Sequence, residues 1–146
     1  MKKLYLGVVV LGGLSLVLVC VYPLLIIGSG SERVYLAVET DRVSYSSGEE
    51  IRVDVYFMNG GSTEISLPSL SYGLEISGPQ GTVLAKVESR ASLGPVHVKP
   101  FSKALVTSFV WDQRDMSGDQ VPPSTYTIHV NLLDSGYSGK ITVRIE

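Results

Sequence analysis

Past residue 30, apolar side chains recur at every second position. Val34, Leu36 and Val38 alternate with Arg33, Tyr35 and Glu39, and Ile51, Val53, Val55 and Phe57 alternate with Arg52, Asp54 and Tyr56. Successive side chains of a strand point to opposite faces, so this alternation predicts strands with one dry face and one wet face. The second run stops at Asn59-Gly60-Gly61, a turn signal. Further runs at 63–67, 72–76, 82–87, 96–98, 104–111, 125–132 and 140–145 are separated mostly by Gly, Pro, Ser or Asp clusters, among them Ser77-Gly78-Pro79-Gln80-Gly81. About eight or nine short strands, with turn signals every ~8–12 residues and no amphipathic helical stretch after residue 30, predict an all-β antiparallel sandwich. The inward set predicted by the alternation is Val53, Val55, Phe57, Leu74, Ile76, Val106, either Phe109 or Val110, Tyr126, Ile128, Val130, Ile141 and Val143. Trp111, the only tryptophan, is expected to plug the end of that core, because its N–H suits a rim position.

Before the alternation the pattern is different. Residues 4–27 carry no charged side chain. As a helix at ~1.5 Å per residue they would run about 36 Å, enough to cross a hydrocarbon layer of about 30 Å. Gly7, Gly12, Gly13 and Pro23 are tolerated in such a span. Lys2 and Lys3 before it predict a cytoplasmic amino terminus and an external carboxy-terminal domain. The expected organisation is a cytoplasmic start, one transmembrane helix and a short linker at residues 1–30, followed by a β domain at 31–146. The expected location is the cell membrane, single-pass. A cleaved secretory signal is the alternative, with Gly28 and Gly30 as permissive small residues and secretion after cleavage near Gly30. Cys20 follows Val19 and is followed by apolar sequence to Ile27, which argues against lipidation there. The layout of apolar helix and sandwich head also resembles archaeal pilins, although the charged stretch before a processing glycine is absent; a surface-filament subunit is therefore a third expectation.

Charge and chemistry narrow the function classes. Of 12 basic and 14 acidic residues, Lys2 and Lys3 precede the span while every acid lies at Glu32 or later. The β domain is thus acidic on balance, which argues against binding a phosphate backbone and against a nucleic-acid partner. The single cysteine, Cys20, leaves the domain without a disulfide or a cysteine-ligated metal. His97 and His129, the only histidines, fall where the alternation turns them outward. No Gly-x-Ser-x-Gly elbow and no phosphate-cradling glycine motif occurs. The reading is non-enzymatic, with no cofactor and no evident small-molecule substrate. Asp112, Asp115 and Asp119 share a loop with Gln113 and Gln120, and loop oxygens can hold calcium. Arg114 sits among them and the spacing is not that of an EF-hand, so ordinary turn aspartates are expected and no metal is assigned.

Two stretches together carry a family resemblance. One is Tyr45-Ser46-Ser47-Gly48-Glu49-Glu50-Ile51 running into the alternating strand and Asn59-Gly60-Gly61. The other is Phe109-Val110-Trp111-Asp112-Gln113, then Asp115, Gly118, Gln120, Val121, Pro122, Pro123 and Tyr126. They resemble the intracellular proteinase inhibitor (BsuPI) family, and the second also resembles the end repeat of flagellar hook-capping proteins. The resemblance spans about residues 33–146 and implies an immunoglobulin-like β-sandwich in which Gly48, Trp111, Gly118, Pro122, Pro123 and Tyr126 are structural. Ser124 stands where that family usually has glycine, and a membrane span departs from an intracellular role. In physical terms, Trp111 ends a strand, residues 112–120 form a polar hairpin loop, and Pro122-Pro123 imposes an extended approach to the next strand. The expected function is a membrane-anchored extracytoplasmic module that binds a partner protein. Its candidate interaction loop comprises Asp112, Gln113, Arg114, Asp115, Asp119 and Gln120. Inhibition of an extracytoplasmic protease, through a loop such as 112–123, is the alternative that the resemblance implies.

Overall fold

The computed structural model describes residues 34–67, 71–89, 95–133 and 135–146, and every regular element among them is a strand. The expected segment at residues 1–30, with its transmembrane helix at 4–27, lies outside the described residues. The elements are β1 (Val34–Thr40), β2 (Ser44–Tyr45), β3 (Ile51–Asn59), β4 (Ile65–Leu67), β5 (Ser71–Gly78), β6 (Gly81–Ser89), β7 (Val96–Val98), β8 (Ser102–Trp111), β9 (Thr125–Leu132) and β10 (Ser138–Ile145). They form a three-stranded sheet β1-β3-β8, a five-stranded sheet β2-β10-β9-β5-β6, and a short β4-β7 pair. All ladders are antiparallel except β2 against β10.

This is the strand order of an immunoglobulin-like sandwich. β1, β3 and β8 take the places of strands A, B and E, while β5, β9 and β10 take those of C, F and G. Tyr126, near the start of β9, donates its hydroxyl hydrogen to the Pro122 carbonyl at 2.7 Å, the corner bond that marks such folds. No cysteine pins the sheets, so packing alone closes them. The inner faces contribute Val53, Val55 and Phe57 from one sheet and Leu74, Ile76, Ile128, Val130 and Val143 from the other, all buried as the alternation predicts. Leu36, Val38, Tyr45, Ile51, Tyr72, Trp111, Leu132 and Ile145 extend that core. At the seam, β10 comes so close to β1 that a methyl group on Gly139 would lie 2.6 Å from the Leu36 carbonyl oxygen; only glycine fits.

Four expectations change. First, the ladder between β3 and β8 slips between Val55 and Tyr56, so that Thr107 faces Val55 while Leu105 faces Tyr56. This bulge inserts Val106 and buries both Val106 and Thr107, and the strict alternation of β8 breaks there. Beyond it, Phe109 points inward opposite Val53, whereas Val110 is 56% exposed, which decides the open choice between them. Second, Ile141 faces inward opposite Ile128 yet is only half-buried. Third, Asn59-Gly60-Gly61 does not close a hairpin, because β3 pairs with β1 and β8 while β4 pairs with β7. Fourth, residues 112–120 join β8 to β9 in different sheets, so they form an arch over the sandwich. The predicted turn at 77–81 does close a hairpin, with Gly78 opposite Gly81.

Strand directions define two poles. Val34 pairs with Asn59, and Asn59 with Ser102, so the start of β1, the end of β3 and the start of β8 share one end. Ile51 pairs with Trp111 at the other end, where β10 finishes and β9 begins. Nine residues of β3 at ~3.4 Å each separate the poles by about 30 Å. We call the Val34 end proximal and the Trp111 end distal.

Candidate functional site

The distal pole holds the whole arch, and one side chain organises it. Gln113 is 0% exposed and adopts φ +58°, a backbone conformation uncommon outside glycine. That conformation turns its carboxamide inward. There Oε1 accepts the Gly48 N–H at 2.8 Å and the Gln120 Nε2 hydrogen at 3.1 Å, while Nε2 donates to the Ser46 carbonyl at 2.9 Å. Its own carbonyl accepts the Val121 N–H at 2.9 Å. Gly48, at φ +81°, supplies a left-handed turn that brings its N–H onto Gln113. The two stretches that carry the family resemblance are therefore one physical unit, joined through Gln113 across more than sixty residues of sequence.

The arch is braced throughout. Trp111 is buried at the end of β8, stacks edge-on against Tyr126 with ring centroids 5.4 Å apart, and donates Nε1–H to the Arg114 carbonyl at 3.0 Å. Arg114 forms a bridge with Gln120, and its Nη1 reaches the Gly118 carbonyl at 2.6 Å. Asp115 Oδ1 accepts the amides of Ser117 and Asp119 at 2.8 and 3.0 Å, which closes the tip as an Asx-type turn. The Met116 N–H donates to Val83 O at 3.0 Å, resting the tip against β6. Asp112, Arg114 and Asp119 face solvent with Gln120, and Asp115 is half-buried. Gln113 does not: it holds the arch from within and offers nothing to a partner. Met116, 65% exposed at the tip, is the presented residue that the polar pattern did not single out.

The aspartates do not converge. Asp112 lies 3.8 Å from Arg114, Asp115 binds backbone amides, and no group of three or more His, Cys, Asp or Glu converges on a metal position among the described residues. His97 is exposed beside Glu64 at 3.4 Å, and His129 is half-buried on the outer face of β9. Of the other residues that the resemblance implies are structural, Gly118 has φ +87°, Pro122 supplies the carbonyl for Tyr126, and Pro123 is exposed.

Beside the arch, residues 41–50 form a charged turn. Arg42 donates to Glu49 and Asp41, and its guanidinium lies 4.8 Å from the centre of the Tyr45 ring. Glu49 is held below the usual carboxylate range by Arg42 first and the Ser46 amide second. The Tyr45 hydroxyl does the same for Asp41, and burial followed by that bond pushes the Tyr45 phenol up. Polar atoms here are committed to each other and to the backbone, an arrangement suited to a rigid surface.

No protein-family model matches the chain, and no match is found among curated proteins. Among solved structures, the CARDB domain of a Pyrococcus furiosus protein, crystallised with di-metal ions, is similar at 12% identity and a TM-score of 0.47, over 79% of this chain and 89% of that one. A β-glucosidase from Erythrobacter marinus matches over 79% of this chain at 16% identity and a TM-score of 0.50, and the match occupies 16% of the enzyme. The chain thus corresponds to one small part of that enzyme, and the likeness is one of fold.

Proposed function

We propose that this chain is a non-enzymatic, membrane-anchored module whose sandwich stands outside the cytoplasm and presents residues 112–123 to a partner protein. The observation that carries this reading is polarity of placement: the arch occupies the pole opposite Val34, about 30 Å from where the chain arrives from its apolar segment. A loop already held by its own hydrogen bonds loses little conformational freedom on binding, which favours affinity. The exposed face is Met116 ringed by Asp112, Arg114, Asp119 and Gln120. The sequence resemblance to the BsuPI family falls on the same unit. A photo-crosslinking residue at Met116, in the full chain in its native membrane, is expected to give a discrete adduct that the same residue at Thr142, on the outer face of β10, does not. Equal yields from both positions, or none from Met116, would dismiss the proposal.

Protease inhibition is the second reading, favoured by one feature, a side chain at Met116 projecting from a loop braced on both sides. Protease assays with the solubilised chain test it. Inhibition abolished by Met116→Asp supports it, and activity unaffected at saturating chain rejects it.

A further inference from the structure

The proximal pole has a surface of another kind. Phe101, in the turn between β7 and β8, is 73% exposed and has φ +52°, a conformation that a bulky side chain adopts only at a cost. Glycine or asparagine would sit there more easily. The turn is nevertheless fixed: the Phe101 N–H donates to the Gly61 carbonyl at 3.3 Å, and the Ser102 hydroxyl donates to the Lys99 carbonyl at 2.7 Å. Lys99, two residues before Phe101 in the chain, is exposed, whereas the Lys103 ammonium is turned along the outer face of the sheet, 3.9 Å from the centre of the Tyr56 ring and 3.3 Å from Glu39. Leu133, directly after β9 in the other sheet, is 48% exposed at the same end, beside Val87 and Asn131, and its N–H donates to the Ser71 carbonyl. Folding gains nothing from projecting a phenyl ring and a leucine into water.

The same pole receives the chain. Six residues, 28–33, separate the apolar segment from β1, and fully extended they reach about 20 Å. We infer that the proximal pole of the sandwich rests on the membrane, with Phe101 and Leu133 inserted at the headgroup level and Lys99 against anionic lipid. The inference rests on the membrane-anchored reading above. Exposed aromatic and leucine side chains with a lysine at the same pole are the chemistry of an interfacial contact, and the tether keeps that contact within reach. Docked in this way, the sandwich would hold the arch some 30 Å from the lipid surface.

The test uses the full chain in vesicles of phosphatidylcholine, alone or mixed with phosphatidylglycerol, with brominated acyl chains as the quencher. Trp111 is the only native indole and lies buried at the distal pole, so wild-type emission is expected to be unaffected. Phe101→Trp and Leu133→Trp, both at exposed positions, are each expected to show quenched and blue-shifted emission from the added indole. In the Phe101→Trp background, Lys99→Glu is expected to weaken quenching in the mixed vesicles. Failure of the chain to float with vesicles would overturn the anchor reading itself. Flotation without quenching at either added indole would overturn the inference alone, and a blue shift without quenching would mean that protein covers the pole instead. Quenching indifferent to Lys99→Glu would remove the anionic-lipid part.

Discussion

The two poles of the sandwich are locked by the same device and present different surfaces. At the proximal pole, Asn59 at the end of β3 donates from Nδ2 to the carbonyls of Thr63, Val98 and Lys99, while its Oδ1 accepts the Gly61 amide. At the distal pole, Gln113 ties Ser46, Gly48 and Gln120. Each pole also has an edge-on aromatic pair, Phe57 with Tyr137 at 5.0 Å and Trp111 with Tyr126 at 5.4 Å. A buried carboxamide satisfies stray backbone groups in several directions, which suits it to places where the ladders end. Above the lock the chemistry diverges. The distal surface carries Glu49, Asp112 and Asp119 among Arg42 and Arg114, much of it tied up in internal bonds around the exposed Met116, whereas the proximal surface exposes Phe101 and Leu133 with Lys99. Both ends expose apolar side chains; what differs is how densely internally paired charge surrounds them.

Substitutions can break this comparison in graded steps. Trp111→Ala should have the largest effect, about 3–5 kcal/mol, because it empties the distal core and frees the Arg114 carbonyl. Chemical denaturation measures it, and hydrogen exchange should show the distal arch losing protection before the turns around Asn59. Gln113→Ala and Asn59→Ala should each cost about 2–3 kcal/mol through the buried groups left unpaired. Separated by the length of the sandwich, their costs should add within about 0.5 kcal/mol; a larger coupling in the double variant would mean that the poles are not independent.

Tyr126→Phe keeps the ring against Trp111 and loses only the bond to Pro122, so a loss of about 1 kcal/mol is expected. Acid should act least. Asp41 and Glu49 have folded pKa values below their unfolded ones, so the stability they contribute is present above the ordinary carboxylate range, near about 4, and is lost as pH falls through the depressed values. A pH titration of Gly48 amide exchange should show the distal turn loosening below about pH 4 while the Asn59 turns hold. Equal loosening at both poles would contradict the assignment.

Period-two alternation determined by itself that the domain would be all-β, which residues of β3, β5 and β9 would face inward, and that 77–81 would turn. That signal is local, since burial of every second side chain is set by the geometry of one strand. Tyr126 and Trp111 were legible as core aromatics for the same reason, and the arch was legible as a polar interval. The tertiary structure alone decided that β8 carries a bulge which turns Val110 outward, that the two-residue strand β2 joins β10 in parallel, and that residues 112–120 cross between sheets. It also decided that Gln113 is a buried strut and that Phe101 is bare. A polar glutamine in a run of aspartates reads as surface until its partners are known. Those partners, Ser46 and Gly48, lie more than sixty residues away, and only the closing of two sheets over one interior brings them within hydrogen-bonding distance.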